Sequence, residues 1–278
     1  MYRRSPAVSG AFYPSSSSEL RLAVGGYLEK TPTSPAVGIV SPHAGYVYSG
    51  PVKGAVYSRV EIPPTVILLG PNHRLSLGES YGKATIMASG SFITPIGEVG
   101  IDEALAGDLL RRSDMIREDA ASHGPEHSLE VQLPFLKVKR SDVSIVPLLM
   151  NVGWREDHRQ LYEWCSALAE SLASAIRNAG RDVLIVASSD MNHYESRAET
   201  SVKDGHALDR IVALDAAGLL EVTEREHITV CGKVGVAAMI EASLRLGAGE
   251  AEVVKHGDSG DYNGELDSVV GYAGVIIH

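Results

Sequence analysis

Ile67-Leu68-Leu69-Gly70-Pro71-Asn72-His73 runs from a short apolar stretch through a turn to a histidine, and two other stretches follow the same plan. They are Ile39-Val40-Ser41-Pro42-His43-Ala44-Gly45-Tyr46 and Ile185-Val186-Ala187-Ser188-Ser189-Asp190-Met191-Asn192-His193. An apolar run without in-and-out alternation reads as a strand covered on both faces, as in a parallel sheet between helical layers. Working outward, the same reading gives strands over Val37 to Ser41, Thr65 to Leu69, Val143 to Leu149, Val183 to Ala187 and Val269 to Ile277. Between them, Asp157 to Asn178 carries Leu161, Cys165, Leu168, Leu172 and Ile176 at helical spacing, and Gly180 ends that helix. Further helices are expected over Ser18 to Leu28, Ile101 to Arg112, Pro125 to Lys137 with a kink at Pro134, Ala198 to Leu214 and Val234 to Leu246. The serines from Ser15 to Ser18 read as a helix cap. The expected architecture is α/β: a central, mainly parallel or mixed sheet flanked by helices, in one domain over residues 1–278.

Composition narrows the function. With 44% hydrophobic and 22% charged residues among 278, the chain is neither disordered nor a coiled coil. Its net charge of −10 lacks the basic footprint of a nucleic-acid binder. Two cysteines, no apolar signal core and no apolar run long enough for a membrane span lead us to expect a cytoplasmic protein. The absence of GxSxG, HExxH and P-loop patterns removes the main support for serine-hydrolase, zincin and nucleotide-hydrolysing readings. The segment from Gly257 to Glu265 fails as a calcium loop, because the twelfth position counted from Ser259 is Val270 instead of a glutamate, so it reads as a turn.

Ligands of open α/β sheets sit beyond the carboxyl ends of the strands. His43, His73 and His193 each follow such an end across a turn, so they are expected to share a rim, and imidazole is the commonest metal ligand. Cys231, ahead of the helix at Val234 and next but one to Lys233, is placed for a stabilised thiolate. Cys165, on an apolar helical stripe, reads as core. Glu126 and His127 are expected at a helix start, the carboxylate favouring the positive end and the imidazole supporting a metal or facing substrate. Asp190, three residues before His193, is expected to orient a ligand imidazole. His123 and His158 read as surface residues.

Taken together, Ser41-Pro42-His43-Ala44-Gly45-Tyr46-Val47-Tyr48-Ser49-Gly50, Leu69-Gly70-Pro71-Asn72-His73, Glu126-His127-Ser128-Leu129-Glu130, Ser188-Ser189-Asp190-Met191-Asn192-His193-Tyr194 and Val230-Cys231-Gly232 resemble the MEMO family. The segments from Arg4 to Pro14 and from Val269 to Ala273 resemble it too. The resemblance implies a single domain similar to LigB-type extradiol dioxygenases, in which two histidines and a glutamate hold Fe(II) and another histidine acts as acid and base. Carried over by position, His43 and His73 are the histidine ligands and His193 is the acid/base or an added ligand. Cys231 stands where the carboxylate is expected, which shifts metal preference from Fe(II) toward copper or zinc.

The implied metal set is therefore His43, His73, Cys231 and His193, holding Fe(II) or Cu, with Zn as a further option. His193, Asp190 and His127 are the implied catalytic groups. The implied function is a metal-dependent, dioxygenase-like oxidoreductase acting on a phenolic substrate. The alternatives are a scaffold that uses the cleft for a peptide or protein, and a zinc hydrolase. By the same resemblance, AMMECR-like and radical SAM proteins are the expected partners.

Overall fold

The computed structural model describes residues 2–74, 83–152 and 156–278. Its strands are β1 (Arg3–Arg4), β2 (Gly38–Ser41), β3 (Thr65–Pro71), β4 (Ala84–Ile86), β5 (Ser91–Thr94), β6 (Gly97–Ile101), β7 (Ile116–Glu118), β8 (Ser144–Met150), β9 (Val183–Ser188), β10 (His193–Glu195), β11 (Ala251–Asp258) and β12 (Val269–Ile277). The helices are α1 (Ser17–Tyr27), α2 (Tyr46–Arg59), α3 (Glu103–Arg112), α4 (Leu133–Lys139), α5 (His158–Ala179), α6 (Arg197–Val212), α7 (Ala216–Arg225), α8 (Lys233–Leu246) and α9 (Gly260–Asn263).

The apolar runs make the centre of the sheet. β8, β3, β9 and β2 lie side by side and parallel. Every residue of β2, β3 and β9 is buried, which is why none of them alternates. β12 joins β2 antiparallel and carries β11, while β4 joins β8 antiparallel, so the sheet is mixed at its flanks. Because the four central strands share a direction, Ser41, Pro71, Met150 and Ser188 all end at one edge, and Ser41 sits directly opposite Ser188.

Helices cover both faces. A Cβ on Gly38 of β2 would lie 2.9 Å from Met239 of α8, and one on Gly274 of β12 would lie 3.2 Å from Val56 of α2. The β2/β12 register, pairing Val275 with Val40, puts these two positions on opposite faces. α5 and α7 pack against α8 on its face, and α1 and α4 pack around α2 on the other. α5 begins at Asp157, whose side chain accepts from the N–H groups of Arg159 and Gln160, and ends at Gly180 with φ 62, as its sequence predicts.

Several elements differ from expectation. No helix starts at Pro125: residues 125–129 form an irregular segment, Glu130–Gln132 is a single 3₁₀ turn, and α4 begins at Leu133. Pro134 therefore occupies the first turn of α4, where its missing N–H has no cost, instead of kinking a longer helix. α2 lies outside the expected helices and forms although Pro51 lies inside it; it is buried along most of its length, and that packing overrides propensity. The Ala198-to-Leu214 helix is α6, and α7 follows it as a separate helix capped by Asp215.

Candidate metal centre

His43 follows β2 after one proline and is buried. Its backbone N–H and that of Ala44 donate to Asp190 Oδ1 at 2.7 and 3.3 Å, so the carboxylate after β9 holds the turn after β2. The ring's Nδ1 lies 3.1 Å from Ser188 Oγ, and its Nε2 lies 3.2 Å from Cys231 Sγ. The thiol arrives there because α8 sits directly on the end of β9: a Cβ on Gly232 would be 2.5 Å from the Ser188 carbonyl oxygen. Burial, reinforced by the neighbouring His73 and His127, holds the His43 imidazole well below its ordinary pKa, so it is neutral and able to ligate.

His73 and His127 are organised by Glu126. Its buried carboxylate accepts the backbone N–H of His73 at 2.6 Å, and those of His127 and Ser128 at 2.8 Å each. The His73 Nδ1–H donates to Oε1 at 3.0 Å, and Nδ1 of His127 lies 3.2 Å from the same oxygen. Burial alone would raise the Glu126 carboxyl, but the His73 hydrogen bond, the two imidazoles and the Ser128 N–H outweigh it and hold it at about 2. A carboxylate on Nδ1 leaves Nε2 of His73 as the free donor atom, the usual outer support of a metal-bound imidazole.

One ligand atom from each of His43, His73 and His127 falls within 4.8 Å of the others. The rings of His73 and His127 stack at 4.7 Å between centroids, and His43 meets His73 edge-on at 5.1 Å. Phe12, from the amino-terminal segment, closes on His127 edge-on at 4.9 Å. That segment is pinned by buried Glu130, which pairs with Arg4 and accepts from the N–H groups of Ala7 and Val8 and from the Tyr13 hydroxyl. The cluster opens into a cleft of about 1100 Å³ that His193, Asp190, Cys231, Tyr48, Tyr194 and Tyr272 also line.

The structure thus brings His43 and His73 together with His127, and sets Cys231 against His43. His193 lines the same cleft outside that group; its Nδ1–H donates to the Thr229 carbonyl at 2.9 Å and its backbone N–H to Thr229 Oγ1 at 2.8 Å. Thr229, not Asp190, therefore orients His193, and Asp190 serves the backbone of His43 instead. Burial and the Asp190 carboxylate push the Cys231 thiol up, against the N–H that Asp190 donates to it, the opposite direction to the one expected from the helix end. Glu126 backs two imidazoles instead of favouring a helix end. His123 is buried, not on the surface, and burial lowers it to about 4. His158 is partly exposed at the cleft wall, 2.5 Å from Glu224. Ser188 and Gln132, which sequence reading passed over, carry the network behind His43; their only sequence signal is Ser188 closing the third apolar run.

No helix among the described residues is long and apolar enough to cross a membrane. A family profile described as Memo-like protein matches residues 4–276. The chain is similar to MEMO1 family proteins of Methanopyrus kandleri (38% identity, covering 98% of each chain), Pyrobaculum arsenaticum (38%, 99% of each) and Thermotoga neapolitana (39%, 99% of each). A solved structure of an uncharacterized protein from Escherichia coli K12 overlaps 75% of this chain and 86% of that one, with 13% identity and a TM-score of 0.48, a likeness too distant to bear on function. Matched over nearly its whole length by the family profile and by relatives of this similarity, the chain belongs to the Memo family.

Proposed function

We propose that this Memo family protein holds one metal ion between His43 and His73, with His127 and Cys231 supplying the remaining donors, and uses it for redox chemistry on a phenolic substrate in the cleft. The observation that carries the reading is the convergence of three imidazoles within 4.8 Å, two of them with Nδ1 already engaged behind the site. The donor set fits: imidazoles with a thiol suit Fe(II), copper or zinc, and among the described residues no glutamate joins the three-histidine cluster, which favours copper over a facial-triad iron site. When bound, such a metal polarises oxygen or a phenolic oxygen. The chain's own groups do the rest. The Thr229 carbonyl accepts a hydrogen bond from the Nδ1–H of His193, which leaves its Nε2 as a base facing the cleft, and Phe12 and Tyr272 present apolar surface to an aromatic ring.

A second reading, a peptide-binding scaffold, is favoured by the cleft's size and by the exposed apolar side chains of Val47, Tyr48 and Tyr194 at its mouth. AMMECR-like and radical SAM proteins are the partners we propose for either role. Tag-free, anaerobically purified protein analysed for metals separates the two. Copper, iron or zinc near one per chain, lost in His43→Ala, supports the metal reading; no metal after reconstitution, with a peptide or partner retained, supports the scaffold.

A further inference from the structure

Behind His43 lies a closed set of buried hydrogen bonds whose donors and acceptors can be assigned one by one. Gln132, fully buried on the 3₁₀ turn, has one end of its amide facing the carbonyls of Pro42 at 3.0 Å and Ser41 at 3.4 Å, and the hydroxyl of Ser188 at 2.8 Å. Carbonyls only accept, so that end is the NH₂ group. The other end accepts from Ser41 Oγ at 3.0 Å, Tyr57 OH at 3.1 Å and Lys53 Nζ at 3.4 Å, which agrees. Ser188 Oγ therefore receives a hydrogen from Gln132. It also lies 2.6 Å from the Ser128 carbonyl, which can take only a donor. A hydroxyl has one hydrogen, and it goes to Ser128. Toward His43 Nδ1, at 3.1 Å, Ser188 then has only a lone pair to offer.

We infer that Ser188, with its proton claimed by the Ser128 carbonyl and its geometry held by Gln132, is a positioning residue that locks His43 as the Nδ1–H tautomer and so keeps Nε2 bare toward His73 and Cys231. Moving the proton to Nε2 would make Ser188 donate to Nδ1 and strip the buried Ser128 carbonyl of its donor. This deepens the metal reading and rests on it for its purpose, while the tautomer itself is a property of the metal-free chain. It also gives the two ligands different support: a neutral serine behind His43, a carboxylate behind His73.

The test is a long-range proton–nitrogen NMR spectrum of chelator-treated, ¹⁵N-labelled full-length protein, with His43 assigned by its loss in His43→Gln. The expected result is a protonated Nδ1 and an unprotonated Nε2. A proton on Nε2 overturns the inference, and this wild-type spectrum decides the matter even where a variant does not fold. In Ser188→Ala, the His43 signal is expected to shift to a mixture or to the Nε2–H form, with Zn(II) affinity falling about 10- to 100-fold. An unchanged tautomer and affinity in that variant also overturn it. Wild-type protein that shows the Nδ1–H form yet takes up no Zn(II) upholds the tautomer assignment and contradicts the metal reading.

Discussion

His43 and His73 reach the same point from unlike surroundings. His43 is buried at the end of β2, backed by uncharged Ser188 and Gln132, and its neighbours leave it neutral. His73 follows β3, is more open, and is backed by the buried carboxylate of Glu126, which serves His127 as well. On one wall of the site, the ring of His43 is backed by neutral donors and acceptors that close on one another, while Asp190 holds only its backbone. On the other, the ring of His73 is backed directly by a charge, and a buried charge stays in place only while its partners do. Damage to Glu126 should therefore spread further than damage of similar size on the His43 side.

The largest expected effect tests that asymmetry. Glu126→Ala strands the N–H groups of His73, His127 and Ser128 and should cost about 4 kcal/mol or more, read as a lower urea midpoint with an unchanged slope. A loss below about 1 kcal/mol would show that the carboxylate does not organise this wall.

A pH effect comes next. His123 sits three residues before Glu126, buried, with its pKa depressed to about 4. The unfolded chain takes up that proton below about 6.5 and the folded chain only below about 4, so the His123 share of stability should fall as pH drops from about 6.5 to about 4, by roughly 3 kcal/mol, while Glu126, held at about 2, carries the loss to lower pH. His123→Asn should flatten that slope in denaturation series across the window, and an unchanged slope would place the acid sensitivity elsewhere.

On the His43 side, Gly232→Ala forces a Cβ against the Ser188 carbonyl oxygen at 2.5 Å and should cost about 2 kcal/mol while pushing Cys231 away from His43. Faster alkylation of Cys231 than in wild type would report the displacement; an unchanged rate would mean the helix end accommodates the methyl group. The smallest effect lies at the anchor of the amino-terminal segment. Tyr13→Phe removes the hydroxyl that donates to Glu130 at 2.6 Å and should cost about 1–2 kcal/mol, leaving metal uptake intact.

The same two walls show what the sequence makes legible. Short apolar runs bounded by turn residues read as doubly covered strands, and parallel strands end together, so the rim holding His43 and His73 follows from the pattern. Cys165 likewise sits where its helical stripe put it, buried in α5. What backs the ligands is not periodic. Glu126 accepts hydrogen bonds from its own irregular segment, and a carboxylate followed by polar and apolar residues after Pro125 carries the same local signature as a helix start. Asp190 is three residues from His193 in the chain, yet it bonds the backbone of His43, a partner set by the pairing of β2 with β9. Ser188 and Gln132 meet only because the 3₁₀ turn folds under the sheet edge, a contact 56 residues apart in the chain.

Cobalt(II) titration of the metal-free protein tests the central claim most directly. The account predicts saturation at one ion per chain, with visible ligand-field bands that are abolished in His43→Ala and survive in Tyr13→Phe. Full-intensity bands in His43→Ala, or none in the wild type, would contradict it.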